Sequence, residues 1–62
     1  MIFYLHSIYN GGNKYFAVDS WSEADNCYYP VPAFEHLDGS LEIATLYKML
    51  EKYGCKKIVL DI

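Results

Sequence analysis

At 62 residues, 53% hydrophobic, the chain is too apolar for disorder and too short for more than one domain or a deep catalytic cleft. Its net charge is −3, it has no Arg, and no basic residue separates Tyr15 from Tyr47, an interval that holds Asp19, Glu23, Asp25, Glu35, Asp38 and Glu42. That distribution argues against a nucleic-acid footprint, which needs clustered basic charge, and toward a basic partner. No run approaches the roughly 20 apolar residues of a membrane helix, and no basic-flanked apolar leader opens the chain. Cys27 and Cys55, far apart, fit two free thiols in a reducing compartment, so a cytoplasmic location without membrane association is expected.

Residues 1–9 read as a strand, because Ile2, Phe3, Tyr4, Leu5, Ile8 and Tyr9 are branched or aromatic. Asn10-Gly11-Gly12-Asn13 interrupts it. Tight two-residue hairpin turns demand positive φ, which glycine adopts without steric cost. Lys14 to Trp21 resumes the strand pattern, so the stretch predicts a β-hairpin. With Gly11 and Gly12 as the loop, Asn10 pairs with Asn13, Ile8 with Tyr15, His6 with Ala17, Tyr4 with Asp19 and Ile2 with Trp21. The alternate pairs are Tyr9 with Lys14, Ser7 with Phe16, Leu5 with Val18 and Phe3 with Ser20. Phe3, Leu5, Phe16 and Val18 make the better core face, and Tyr4, His6, Tyr15, Asp19 and Trp21 leave the other face amphipathic. A slip of one residue would exchange the two.

Residues 22–39 read as irregular or weakly structured. Ser22, Glu23, Asp25 and Asn26 suit a turn, and Tyr28-Tyr29-Pro30-Val31-Pro32 suits a short edge strand, where Pro is tolerated. Phe34 and Leu37 are expected to dock this segment on the core. Ser40 as N-cap and Gly54 as a left-handed terminator bracket a helix over 41–53, with Ile43, Leu46, Tyr47, Leu50 and Tyr53 on one apolar stripe. Ile58-Val59-Leu60 closes the described pattern as a short strand. An unbroken apolar triplet after a helix predicts a parallel strand buried on both faces, in an interior or subunit-shared position. The expected fold class is α+β: a small ββ(β)αβ domain over 1–62, with an N-terminal hairpin and one helix packed on a three- to four-stranded sheet.

Catalytic and metal chemistry find no foothold. His6, Cys27, His36 and Cys55 lack the close spacing of a structural zinc site, and Asp19 to Asn26 lacks the acidic spacing and central Gly of a calcium loop. Neither Cys27, in an acidic stretch, nor Cys55, after a helix C-terminus, has in the sequence the base and orienter that nucleophilic catalysis needs. The glycine pair has no GK[ST] and opens no helix, so it is no phosphate loop. The expectation is a non-enzymatic protein without metal or cofactor.

What stands out is aromatic content. Seven Tyr, three Phe and one Trp make up 18% of the chain. Domains this small cover few rings fully, and Tyr and Trp dominate binding hot spots. The expected partner-binding residues are Tyr4, Tyr15, Asp19, Trp21, Glu23, Asp25, Tyr28 and Tyr29: rings as anchors, and acids, with Glu35 and Asp38 beside them, as selectors of a basic, nucleic-acid-handling protein. Three alternatives stand beside this reading. The segment 22–39 could fold over the rings as a second mini-core. A homodimer could bury the aromatic face and Ile58–Leu60. Or Tyr4, Tyr15 and Trp21 could stack nucleic-acid bases, against which stand the absence of Arg and the presence of Asp19 on the platform.

Overall fold

The computed structural model describes residues 1–61. Strand β1 (Ile2–Asn10) turns at Gly11 and Gly12 into β2 (Asn13–Ser22). The two glycines have φ of +61° and +81°, the left-handed conformations that the turn requires. The observed pairing runs from Phe3–Ser20 through Leu5–Val18 and His6–Ala17 to Asn10–Asn13, as the two-residue loop dictates. Phe3, Leu5, Phe16 and Val18 consequently share one face and are buried.

Strand β3 (Cys27–Pro30) returns antiparallel along the outer side of β2, pairing Trp21 with Tyr28 and Ser22 with Cys27. The Val31 N–H extends that ladder to the Val18 carbonyl at 2.9 Å. A single 3-10 turn (Pro32–Phe34) then sends Phe34 into the core, and β4 (Leu37–Asp38) pairs with Tyr15 and Phe16 on the same side of β2. Residues 22–39 are thus more ordered than their composition suggests. Tertiary pairing supplies what local propensity lacks.

Helix α1 (Ile43–Glu51) crosses the core face and places Leu46 and Leu50 against Phe3, Leu5, Phe16, Val18 and Phe34. Strand β5 (Lys57–Asp61) then pairs parallel to β1, Phe3 with Ile58 and Leu5 with Leu60. The strand order is β3-β2-β1-β5, with β4 beside β2, so the class is a small α+β fold carrying one helix on one face of a mixed sheet.

Two expectations are corrected. The helix is shorter than 41–53, and Ser40 does not cap it. The Ser40 N–H and hydroxyl both bond Asp38 Oδ1, each at 2.9 Å, so Ser40 closes a turn ahead of the helix and Glu42 takes the cap position without a side-chain bond. The N–H bond holds the Asp38 carboxyl below its usual range, with the Ser40 hydroxyl second. At the other end Gly54 does terminate the helix at φ +78°: the Gly54 N–H bonds the Glu51 carbonyl and the Cys55 N–H bonds that of Leu50. Tyr53 falls beyond the helix; its ring packs edge-on to Phe34 yet stays 55% exposed. The second correction concerns β5. Of the two positions expected, interior or subunit-shared, the interior one is excluded: β5 is an edge strand, with Ile58 and Val59 half-buried and Leu60 exposed.

Gly39 is the tightest backbone approach. Its N–H bonds the Lys14 carbonyl at 3.2 Å, and a Cβ there would stand 2.4 Å from that same oxygen. Gly39→Ala should push β4 off β2 and destabilise the fold by about 1–3 kcal/mol; an unchanged urea midpoint would show that β4 is free to shift. Gly11→Val with Gly12→Val should also lower stability, by roughly 1–2 kcal/mol per left-handed branched residue. Thermal melting measures it, and an unchanged transition would contradict the register.

Candidate protein-binding face

The register that fills the core also fills the opposite face. Tyr4, His6 and Ile8 from β1 lie beside Tyr15, Ala17, Asp19 and Trp21 from β2. Tyr28 and Pro30 extend the face on one side, and Lys57, Val59 and Asp61 on the other. Helix and 3-10 turn both pack on the core side, so among the described residues no element lies across this face. The segment that might have built a mini-core went to the other side with Phe34.

The rings cover one another instead. Tyr28 is the hub, with its centroid 4.9 Å from Trp21 and 5.3 Å from Tyr4, and Tyr4 lies 5.4 Å from His6. All three contacts are tilted or edge-on, the arrangement that ring quadrupoles favour. Trp21 and Tyr4 become half-buried this way, while Tyr28 stays 39% exposed. The Tyr4 hydroxyl donates to Asp61 Oδ2, tying the centre of the face to β5. That bond, followed by desolvation and the Asp61 charge, raises the Tyr4 phenol above its ordinary value.

Beside the rings lies a cleft of about 250 Å³. Ala17 and Ile8 form its apolar floor, and His6, Asp19, Glu35 and His36 stand around it. His6 Nε2 sits 3.3 Å from Asp19 Oδ2. The two are close enough for an ion pair but misaligned for a hydrogen bond, and that nitrogen is buried without another partner. His36 holds a left-handed φ of +55° and meets Tyr15 edge-on at 5.8 Å, which closes the far end.

The structure thus brings together Tyr4, Asp19, Trp21 and Tyr28, and sets Tyr15 on the same face across the cleft. Tyr29 is elsewhere. It alternates with Tyr28 along β3 and points to the opposite side of the sheet, where its hydroxyl donates to Asp25 Oδ2 at 2.7 Å. Asp25 in turn belongs to the β2–β3 loop, its N–H bonding Ser22 Oγ at 3.3 Å, and Glu23 is exposed in that loop. These three residues form a separate rim rather than part of the ring cluster. Glu35, expected among the acids that select a partner, stands at the cleft, and His36, Val59 and Asp61 join the face without such an expectation. The alternation of Lys57, Val59 and Asp61 was the one available signal for β5; nothing local marks His36.

Both cysteines are unpaired, Cys27 exposed and Cys55 half-buried with its Sγ against the Lys57 carbonyl at 3.2 Å. Among the described residues no group of three or more His, Cys, Asp or Glu is placed to hold a metal ion, and no helix is long and apolar enough to cross a membrane. Comparison with known proteins finds no matching family model, no matching curated protein and no matching solved structure.

The phenol bonds have a measurable consequence. The Asp25 carboxylate, together with Cys27, pushes Tyr29 up to about 12. A folded value above the ordinary 10.0 means that the stability from this bond is present up to that pH and is lost as pH rises through about 12. Ultraviolet titration should show late tyrosinate formation, and Tyr29→Phe should remove the latest step. Complete ionisation of all seven tyrosines around pH 10 would contradict both the Asp25 and the Asp61 bond.

Proposed function

We propose that this protein is a small non-enzymatic regulatory module that captures a basic protein on the open face of its sheet. The observation carrying the proposal is the juxtaposition, on an uncovered face, of the Tyr4–Trp21–Tyr28 ring cluster with a cleft whose walls are Asp19 and Glu35.

The chemistry follows from the two halves of that surface. A Lys or Arg side chain is an apolar stem with a charged head. The Ala17–Ile8 floor suits the stem, and the carboxylates of Asp19 and Glu35 suit the head. The neighbouring rings offer faces to a second cation and apolar area to whatever flanks it. Rings of this type act as desolvated anchors, whereas surrounding acids raise the rate of encounter and reject acidic competitors. Glu23, exposed on the β2–β3 loop, adds to that field.

A partner lined with Lys and Arg is the sort of protein that handles nucleic acid, and a module seated on that lining would act by occlusion. Direct nucleic-acid binding is less well supported. Asp19 and Asp61 lie on the face itself beside a single lysine, Lys57, among the described residues, and Lys48, Lys52 and Lys56 lie on the helix or just after it.

Trp21 reports on the face directly. Titration with an arginine-rich peptide should give a saturable change in Trp21 emission that weakens with salt. Asp19→Asn combined with Glu35→Gln should reduce affinity, and Tyr28→Ala should cost about 2 kcal/mol or more of binding. A response equal to that of a neutral peptide, or one stronger for an oligonucleotide than for the basic peptide, would overturn the reading.

A further inference from the structure

We infer that β5 is a self-pairing edge, along which a second copy of this chain adds antiparallel to extend the sheet. The inference does not depend on the binding partner proposed above.

The sheet has two kinds of border. On the β2 side the border is broken into short pieces, and β3 ends in Pro30, which blunts an edge by removing a donor. The β5 side has no such device. Lys57–Asp61 contains no Pro and no Gly, and its centre is Ile58-Val59-Leu60. The Val18 and Lys14 carbonyls of β2 face away from β1, toward the Val31 and Gly39 N–H groups, so β1 turns its even-numbered main-chain groups to β2 and its odd-numbered ones, Phe3 and Leu5 among them, to β5. In the parallel register of Phe3 with Ile58 and Leu5 with Leu60, those groups meet Lys57, Val59 and Asp61, and by alternation Ile58 and Leu60 present theirs to the outer edge.

Antiparallel pairing about a two-fold axis at Val59 makes this edge complementary to itself. Val59 then faces Val59 of the second copy as a non-hydrogen-bonded pair with side chains close together, and each Ile58–Leu60 pair beside it exchanges both of its N–H to carbonyl bonds. Lys57 faces Asp61 of the second copy, and Asp61 faces its Lys57, so opposite charges meet at both ends. Asp61 takes the Tyr4 hydroxyl on Oδ2, which leaves Oδ1 for the incoming ammonium. On the helix side, Ile58 faces Leu60 of the second copy. Leu60 is 43% exposed, and a groove of about 210 Å³ beside Ile58, walled by Tyr47 and Cys55, opens where that leucine would arrive. Charge, main-chain polarity and apolar shape therefore agree on one occupant and one register.

An axis perpendicular to the sheet keeps the two ring-bearing faces on the same side. The dimer would then present two copies of the Tyr4–Trp21–Tyr28 cluster to one partner, and binding would gain from effective concentration rather than from any new contact.

Sedimentation equilibrium across micromolar to millimolar concentrations tests the pairing, with circular dichroism confirming that each variant is folded. The wild type should be a concentration-dependent dimer. Lys57→Glu, at an exposed position, places like charges at both ends and should weaken the dimer about tenfold. Adding Asp61→Lys to it reverses both charges and should restore affinity, a rescue that general destabilisation cannot produce. Leu60→Pro removes only an outward N–H, at an exposed position of the strand, and should abolish dimerisation without unfolding the chain. A monomer at every concentration would overturn the inference. So would a dimer indifferent to Lys57→Glu, since that dimer would be joined elsewhere, as by the aromatic face.

Discussion

Everything in this structure is sorted by the turn at Gly11 and Gly12. Two residues in left-handed conformations join β1 to β2 with no freedom of register, and side chains along paired strands alternate between faces. Phe3, Leu5, Phe16 and Val18 therefore fall together on the helix side, and Tyr4, His6, Asp19 and Trp21 fall together on the other. A one-residue slip would bury Asp19 and His6 beneath α1 and expose the phenylalanines. Core and candidate site are two consequences of the same constraint, so neither changes without the other.

The second constraint is size. The described residues supply one helix to lay on the sheet, and that helix covers one face. Covering the other face would take another layer, which the described residues do not supply. Tilted packing of Tyr4, Trp21 and Tyr28 covers part of it, because each ring removes some of its neighbours' apolar area from water. Tyrosine suits that position, since its hydroxyl remains usable at the wet boundary, as the Tyr4 bond to Asp61 shows. The high tyrosine content is thus partly a solution to a one-sided sandwich. The area left bare, above all at Tyr28, is what a partner would meet.

Legibility in the sequence followed the range of the interactions. The hairpin, its register and its core face could be read because turn chemistry and alternation are local. The Gly54 terminator could be read for the same reason. The helix start was misread because Ser40 had two available uses, and the nearby Asp38 carboxylate captured it. The place of β5 was only half legible, because an apolar triplet signals burial, in an interior or at a subunit contact, without saying which; the sheet of the single chain ends there, and Leu60 is left exposed. His36 and Glu35 came to the cleft through the path of a loop around β2. No periodicity encodes that path, so only coordinates reveal those walls.

Charge shows how much a composition argument must be discounted once geometry is known. The acidic middle of the chain suggested one broad negative surface, but its carboxylates have separate occupations. Asp38 closes the turn before the helix, and Asp25 holds Tyr29 on the far side of the sheet. Asp19 lies against His6, 3.3 Å from its Nε2. Glu35 and Glu23 carry no such bond within the chain among the described residues. Meanwhile Asp61, outside the acidic stretch altogether, lands on the open face through the parallel pairing of β5. The negative character of the face is therefore smaller and more local than the sequence suggests. It gathers around the cleft and one end of β5, and the chemistry available there is that of a few placed carboxylates beside rings, not of a diffuse acidic field.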